Sequence, residues 1–439
     1  MYGLTINTGL MLLVAATLVA LVARRFHLPY TVGLVVTGIV LTLLHVGSGI
    51  TLTRELIFNL LLPPLLFEAA INIKWKDLKR DFWPIMLLVT VGVIIAAAVT
   101  GVGMSLILHW PWQASMVFGV LIAATDPVSV IATFREAGVR GRLMLLVEAE
   151  SLLNDGTAAV FFIVAVAIVS GGSLSAAVPA LGVTLLGGIL VGAVCGAIGV
   201  ALATKTPDHL VETTVTTIVA FGSFSLADYL HGSGVLATVI AGLMMGNIGE
   251  VETGRPRHFS QRGHQVLLAF WDFAAFISNS LIFLMIGLRG ARIHFQTVGI
   301  FALVVAIVVV LLGRALSVYP LCWVLGKTEH RIDVKHQHVL WWGGLRGALA
   351  LALAMSLSPS IPYHDAVVIC TFGVVAFSTI VQGSTMPIML RRMGLITARD
   401  KFDKPSSMHR HGKPVAQPRR RTVHERKKPA AVINRGPDP

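Results

Sequence analysis

Hydrophobic residues dominate this chain in long runs, and polar residues gather in the short stretches between the runs. Apolar runs of about 18 residues or more recur, and each can cross a hydrocarbon core of about 30 Å as a helix. Strands of a membrane barrel would instead alternate apolar and polar residues over about ten positions. The pattern predicts an all-α polytopic membrane protein of about thirteen transmembrane helices, at roughly 4–23, 30–47, 53–72, 84–108, 113–134, 143–169, 174–203, 210–230, 234–249, 266–288, 296–325, 338–357 and 364–390.

Positive charges lie mostly at one set of span ends. With the N-terminus outside, only Arg54, Arg289 and Arg292 fall at outer ends, whereas the other Lys and Arg between spans fall inside. Cytoplasmic loops carry such an excess. The asymmetry predicts an outside N-terminus, a cytoplasmic C-terminus and an odd number of spans. An odd number also allows two inverted six-helix repeats joined by the seventh span, a common transporter pattern.

Composition agrees with this membrane class. The chain is 55% hydrophobic and 13% charged, whereas a soluble domain carries about 25% charged residues. We therefore expect a multi-pass protein of the cell inner (plasma) membrane, with a transporter domain over 1–397. Much of the net charge of +13 follows this domain. Residues 398–439 are predicted to form a disordered basic cytoplasmic tail that anionic lipid attracts. No nucleic-acid partner is expected, because the tail lacks aromatic platforms.

Three carboxylates, Asp126, Glu150 and Asp155, fall within about one span of each other in an otherwise apolar stretch. An ionisable group inside a membrane is costly and indicates a functional site. Pro127 should break its helix, and carbonyl groups near Ala123 then lose helical partners that a cation could replace. Asp126 could alternatively cap the half-helix that begins at Pro127, and the two roles are compatible.

The sixth span offers a second set of polar groups. Ser151 and Asp155 share a helix face because they are four residues apart, and Glu150 and Asn154 form another such pair. Asp155 could be permanently paired with a structural base. Otherwise a carboxylate there binds either a proton or a cation, and the competition between the two is sufficient for exchange chemistry.

Two arginines lie within spans. Arg346 cannot lose its charge and needs a buried partner, for which Glu150 is our candidate, as a structural ion pair. Arg314 is expected toward a span end or with its charge extended to the interface.

Glu68 follows Pro63-Pro64, which should bend or break the third span. It could guard a cytoplasmic entrance or be a solvated carboxylate at a helix end. Asp228 and Asp272 are expected to be structural or peripheral.

The seventh span carries a stripe of glycines. Gly188, Gly192 and Gly196 lie four residues apart in the seventh span, and small residues at that spacing allow close helix packing. The stripe could serve either internal packing or a dimer contact.

Several segments together resemble the monovalent cation:proton antiporter family of NhaP-type and NHE-type sodium/proton exchangers. They extend over nearly the whole membrane region: L-P-P-L-L-F-E-A (62–69), A-T-D-P-V (124–128), E-S-L-L-N-D-G (150–156), S-G-V-L-A-T-V-I-A-G-L (233–243), N-S-L-I-F-L-M-I-G-L (279–288), G-G-L-R-G-A-L (343–349) and F-S-T-I-V-Q-G-S-T (377–385).

The resemblance implies specific binding residues. The cation and proton would bind at Asp155, Asn154, Asp126, Thr125, Ser151 and Glu68, with Na⁺ held at Asp155, Ser151 and Thr125. The family's ion pair would fall on Glu150 and Arg346, in agreement with the interpretation above.

The resemblance also implies an NhaA-like antiporter fold with crossed broken helices. Core helices would lie at approximately 84–170 and 296–390, and the remaining helices would serve as scaffold and dimerisation surface of a homodimer. Neither a cofactor nor enzymatic catalysis is expected. Asn before Asp resembles the electroneutral branch, which exchanges one cation for one proton.

The resulting function is secondary active exchange of Na⁺ for H⁺ by alternating access, with Li⁺ as a further candidate cation. A potassium/proton antiporter is the alternative within the same chemistry, because the sequence does not give the cavity size. A cation channel or non-transporting sensor is the alternative of another class, against which stand the absence of a selectivity-filter motif and the inverted topology.

Overall fold

The computed structural model describes residues 6–26, 30–45, 53, 55–205, 208–247, 261–290 and 297–395, and these residues are almost entirely helical. They contain no strand, only one two-residue bridge between loop segments. The α-helices, numbered in chain order, are α1 Ile6–Phe26, α2 Tyr30–Leu43, α3 Leu62–Asn72, α4 Trp75–Arg80, α5 Phe82–Leu87, α6 Val93–Leu108, α7 Trp112–Leu121, α8 Val128–Ala137, α9 Arg142–Val169, α10 Leu174–Ala203, α11 His209–Tyr229, α12 Gly234–Gly246, α13 Gln261–Gly290, α14 Ile300–Leu325, α15 Val334–Trp342, α16 Ala348–Met355, α17 His364–Phe377 and α18 Gly383–Arg392. π-helical turns at Leu56–Leu61, Leu88–Gly92 and Ser378–Gln382 join neighbouring α-helices.

The prediction of an all-α, multi-span protein is confirmed. Within the described ranges, seven helices are long and apolar enough to cross a membrane: Phe82–Leu108, Arg142–Val169, Ser175–Ala203, His209–Tyr229, Gly263–Gly290, Ile300–Leu325 and His364–Arg392. Every predicted span coincides with one helix or with a pair of shorter ones. The number of thirteen crossings stays a prediction, and the predicted tail over 398–439 lies outside the described residues.

The third span is continuous, although Pro63 and Pro64 were expected to bend or break it. The π-helical turn Leu56–Leu61 leads directly into α3, with the prolines in its first turn. An N–H group in a first turn has no partner four residues back within its own α-helix, so proline is tolerated there. The wider π-helical turn before it lets the span pass the two rings.

Two spans are interrupted near their middle. The fifth divides into α7 and α8 around residues 122–127, where the sequence predicts a break at Pro127. The twelfth divides into α15 and α16 around residues 343–347, a segment that contains Gly343, Gly344 and Gly347. Glycine is costly in a helix interior because it loses the most backbone entropy on folding. Proline in one span and glycine in the other thus favour the two interruptions.

Helix α9 lies at the centre of the described structure, where it packs on α7, α8, α10 and α12. The glycine stripe of α10 faces α12: a Cβ atom added at Gly192 would lie 2.4 Å from the carbonyl oxygen of Ala237, and one at Gly188 2.7 Å from that of Ser233. Internal packing of the stripe is therefore confirmed. A dimer contact at these glycines is wrong, because α12 of the same chain covers them.

Candidate functional site

The two interrupted spans meet at their linkers. The backbone N–H of Asp126 donates a 2.8 Å hydrogen bond to the carbonyl oxygen of Leu345, and the two residues form an antiparallel bridge. Both linkers lie beside α9. The site is therefore built from irregular backbone buried in protein, the setting in which a membrane protein tolerates it.

Asp126 lies at the start of α8 and is half-buried. Its Oδ1 accepts a 2.9 Å hydrogen bond from the N–H of Val128, so the predicted capping role is confirmed. Its Oδ2 lies against Gly347, where an added Cβ would come within 2.1 Å. Only glycine at 347 leaves room for this carboxylate. Asp126 also lines the cavity described below, so capping is not its only role.

Ser151 and Asn154 hold the first linker from behind. The Asn154 Nδ2 donates to the carbonyl oxygen of Ala123 at 3.1 Å and to the Thr125 hydroxyl at 3.0 Å. The Ser151 hydroxyl hydrogen-bonds the Thr125 carbonyl oxygen and lies 3.1 Å from the Thr125 hydroxyl. Ser151 is 2% exposed and Asn154 1%. These two polar groups fasten α9 to the linker, and neither is among the residues that line the cavity.

Asn154 retains one unused group. Its amide nitrogen faces a carbonyl oxygen, which can only accept, and this fixes the orientation of the amide. The amide oxygen is buried and has no hydrogen-bond partner within the described structure. A buried oxygen without a partner costs stability and calls for an explanation.

A cavity of about 520 Å³ opens in front of α9. Five carboxylates and one guanidinium line its described part: Glu68, Asp126, Glu148, Asp155, Asp272 and Arg135. Arg135 and Asp272 lie at the open end, where their side chains are 50% and 57% exposed. A cleft lined mainly by one sign of charge concentrates the opposite ion. The cavity is suited to attract cations.

The structure separates the predicted binding residues into two groups. It brings Asp155, Asp126, Thr125 and Glu68 to the cavity wall. It places Ser151 and Asn154 behind Thr125, joined to the linker. All six residues thus lie at the wall of one cavity or directly behind it, but only four face the space that an ion could enter.

The predicted pair between Glu150 and Arg346 is wrong. Glu150 instead forms a two-pronged ion pair with Arg314, with Oε1 2.8 Å from Nη1 and Oε2 2.7 Å from Nη2. Both side chains are buried, with 3% and 7% exposure. The expectation that Arg314 extends to an interface is wrong for the same reason. It lies between α9 and the end of α15, where it also donates to the carbonyl oxygen of Leu340.

Arg346 satisfies the carbonyl groups for which the sequence suggested a cation. Its Nη1 donates to the carbonyl oxygens of Ala123 at 2.7 Å and Ala124 at 3.1 Å. Its backbone N–H is held by the Ser378 hydroxyl at 3.0 Å. A fixed guanidinium therefore occupies the place beside these carbonyls, and a transported ion has to bind on the cavity side.

Glu68 lies well inside the mouth of the cavity. Its side chain is 16% exposed, its Oε1 lies 3.4 Å from Nη2 of Arg135, and Asn72 donates to the same oxygen at 2.9 Å. The alternative of a solvated helix-end carboxylate is wrong. Arg135 also lies 4.0 Å from Asp272, which belongs to the cavity mouth and is not peripheral. Asp228, in contrast, is exposed and outside the cavity lining.

Sequence reasoning missed Glu148 as a site residue. It lines the cavity together with Asp155, and it is 9% exposed. Seven residues are about two helical turns, so positions 148 and 155 lie on the same face of α9. That spacing was the available signal.

Comparison with known proteins identifies the chain's relatives. The sodium/hydrogen exchanger, transmembrane family matches residues 12–392. The Na⁺/H⁺ antiporter ApNhaP of Aphanothece halophytica is 38% identical over 382 residues, which cover 85% of this chain and 71% of that protein. The low-affinity Na⁺/H⁺ antiporter NhaS1 of Synechocystis sp. is 38% identical over 399 residues, 87% and 72% of the respective chains.

A solved structure supports the same relationship at the level of fold. The sodium proton antiporter MjNhaP1 from Methanocaldococcus jannaschii matches with a TM-score of 0.72 at 21% identity, over 88% of this chain and 98% of that one. The family match extends over most of the chain and includes the interrupted helices and the cavity. The chain belongs to the sodium/hydrogen exchanger family of transmembrane proteins.

Proposed function

We propose that this chain is a secondary active antiporter that exchanges Na⁺ for H⁺ by alternating access, with Asp155 as the central binding group. One observation carries the proposal: Asp155 and Asp126 line one charged cavity where two interrupted helices meet. A carboxylate in such a place binds a proton or a cation, and each displaces the other. The relatives named as Na⁺/H⁺ antiporters support Na⁺ as the cation.

Asp155 would supply the charge for Na⁺ and Thr125 a neutral oxygen atom at the cavity wall. Ser151 and Asn154, which lie directly behind Thr125, would add their oxygen atoms when the ion passes that wall during the transport cycle. The orphan amide oxygen of Asn154 supports this role, since a bound ion would give it a partner. The hydroxyls of Thr125 and Ser151 are 3.1 Å apart. They would act on Na⁺ either directly or by holding the linker that presents Asp126.

One cation for one proton is the stoichiometry we propose, because Asn154 is neutral and leaves Asp155 as the only carboxylate of that pair. The geometry supports Asp126 as a capping group that also faces the ion. Glu68 would act earlier on the path, near the mouth.

The architecture around the site completes the proposal. The charge and span pattern predicts thirteen crossings, an outside N-terminus and a cytoplasmic C-terminus, and it allows two inverted repeats. The NhaA-like fold is what the family resemblance implies. In that orientation the cavity opens to the cytoplasm, because Arg135 and Asp272 lie at an inner end. The same proposal places the protein as a homodimer in the cell inner (plasma) membrane. It assigns a membrane domain to 1–397, with core helices at approximately 84–170 and 296–390, and a basic tail to 398–439.

The decisive experiment reconstitutes the purified chain in liposomes with an imposed proton gradient. Collapse of the gradient on addition of Na⁺, K⁺ or Li⁺ is followed for the native chain, for Asp155→Asn, and for Asp228→Asn as an exposed acidic control on α11. We expect Na⁺-driven collapse that persists under a voltage clamp, vanishes in Asp155→Asn and survives in Asp228→Asn.

The alternatives give different results in the same assay. Collapse by K⁺ alone would identify a potassium/proton antiporter, which the names of the relatives do not favour. Cation flux without proton counter-flux would identify a channel, and no flux a sensor. A fully active Asp155→Asn would overturn the central role of Asp155.

A further inference from the structure

We infer that Glu148, together with Glu68, forms a second, outer cation site between the mouth of the cavity and Asp155. This inference rests on the proposed exchange at Asp155 and adds a stage to the ion's path. The ligand would be a monovalent cation such as Na⁺, taken up before it reaches the inner carboxylates.

Glu148 is the observation that points to a ligand. The residue is 9% exposed, and it lines the cavity. Within the described residues it makes no hydrogen bond and no ion pair, although Arg135 is a charged neighbour. A buried carboxylate without a partner is costly. A cation in the cavity would supply the missing partner.

The position of Glu148 suits an intermediate stage. It lies two turns of α9 from Asp155, a separation of about 10 Å along the helix axis. It is nearer than Asp155 to Arg142, where α9 begins, and Arg135 and Asp272 mark the open end of the cavity. A cation entering from the mouth would meet Glu68 and Glu148 before Asp155.

We infer that the positive charge of Arg135 competes with the entering cation for the outer carboxylates. Its guanidinium lies 3.4 Å from Glu68 and 4.0 Å from Asp272. Its side chain is half exposed, so it can leave these carboxylates at little cost in buried charge. An entering cation would displace it, and departure of the cation would let it return. This arrangement keeps Glu68 and Asp272 paired with Arg135 when no ion is present.

The first test measures binding directly, in full-length protein. Line broadening of the ²³Na NMR signal reports Na⁺ bound to the Asp155→Asn variant and to Asp155→Asn/Glu148→Gln. We expect residual Na⁺ binding in the single variant and its loss in the double variant. Binding that is absent from the single variant, or equal in both, would overturn the outer site.

The same variants separate the two proposals. If Asp155→Asn still exchanges Na⁺ for H⁺, the proposed central role of Asp155 fails, whatever Na⁺ the variant binds. If Asp155→Asn is inactive but binds no more Na⁺ than the double variant, exchange at Asp155 stands and only the outer site fails.

The second test uses transport kinetics with Asp155 intact. Removing one charge about 10 Å from the inner site at an effective dielectric constant of about 20 changes cation affinity on the order of tenfold. Glu148→Gln should therefore raise the KM for Na⁺ by roughly this factor, with a smaller effect on the maximal rate, and Glu148→Asp should restore most of it. Arg135→Gln should lower the KM, because the competitor is gone.

Opposite changes in KM, a rise in Glu148→Gln and a fall in Arg135→Gln, distinguish an electrostatic site from a structural defect. Both KM changes should shrink when choline chloride raises the ionic strength, because salt screens charges near the open mouth. Asp365→Asn, an exposed charge outside the cavity lining, should leave the KM unchanged. A KM that rises in both Glu148→Gln and Arg135→Gln, or that is indifferent to ionic strength, would contradict the proposal.

Discussion

The ion pair between Glu150 and Arg314 gives a quantitative test of the structure, because the sequence favoured Arg346 as the partner. The perturbation is a double-mutant cycle with Glu150→Gln and Arg314→Met. Both native side chains are almost fully buried and share two hydrogen bonds of 2.7 and 2.8 Å. Removing one member of such a pair leaves the other charge buried without compensation, which costs about 3–5 kcal/mol.

The double variant should cost much less than the sum of the two single variants. With both charges gone, no unpaired charge stays buried, so the double variant should cost no more than one single variant. A coupling free energy of about 3 kcal/mol or more is therefore expected. A second cycle with Glu150→Gln and Arg346→Met serves as the matched comparison. Arg346 donates to carbonyl groups of the first linker and forms no ion pair with Glu150. Its coupling to Glu150 should be clearly smaller.

The assay is equilibrium unfolding in mixed micelles at increasing SDS fraction, followed by tryptophan fluorescence and by helical circular dichroism. Coincident transitions from the two probes would justify a two-state free energy. A larger coupling in the cycle with Arg346 would show that Glu150 is not paired with Arg314. A cost of less than about 1 kcal/mol for Arg314→Met alone, a value typical of an exposed pair, would show the same.

Three further predictions follow from close contacts and from competition at the carboxylates. Gly347→Ala should reduce the transport rate by more than about tenfold at unchanged expression, because its Cβ would lie 2.1 Å from the Asp126 carboxylate. Displacing a binding group by about 1 Å can cost about tenfold or more in rate, and normal transport would contradict the contact. Gly192→Ala should lower the unfolding midpoint, since its Cβ would lie 2.4 Å from the Ala237 carbonyl oxygen. Gly182→Ala, in the same helix with open space around it, is the control and should be neutral or stabilising, and equal effects of the two α10 substitutions would refute the packing argument. Finally, proton and Na⁺ compete, so raising Na⁺ should shift the acidic limb of the pH–rate profile to lower pH; a limb that ignores the Na⁺ concentration would exclude competition at one site.

Local chemistry explains what the sequence could predict. Proline lacks an N–H group wherever it stands, so the sequence marks Pro127 as a candidate break. The continuous span through Pro63 and Pro64 shows that proline alone does not decide where a helix ends. The four-residue spacing of Ser151 and Asp155 likewise predicts a shared helix face. Repeated runs of apolar residues identify the membrane class, because each run depends only on neighbouring residues.

Contacts between distant segments explain what the sequence left open. Arg314 and Arg346 are both arginines within spans, and only the approach of α14 to α9 makes Arg314 the partner of Glu150. The importance of Glu148 depends on which face of α9 borders the cavity. Spacing relates Glu148 to Asp155, but the shape of the space in front of them is a property of the whole fold.

The two arginines together explain why the carboxylates of the cavity are available to a transported ion. An interrupted helix leaves carbonyl groups unsatisfied at the end of its first half, and that end carries partial negative charge. Arg346 donates to the carbonyl groups that follow α7, and Arg314 donates to Leu340 near the end of α15. Both guanidinium groups are permanently charged and held by the protein, so the broken backbone is stabilised whether or not an ion is bound. Asp155 lies outside these fixed pairs, and its charge can be neutralised by an exchangeable proton or cation. The arginines thus neutralise the broken helix ends permanently, whereas a proton or cation neutralises Asp155 reversibly. This division would let the site empty and refill without unfolding the linkers that form it.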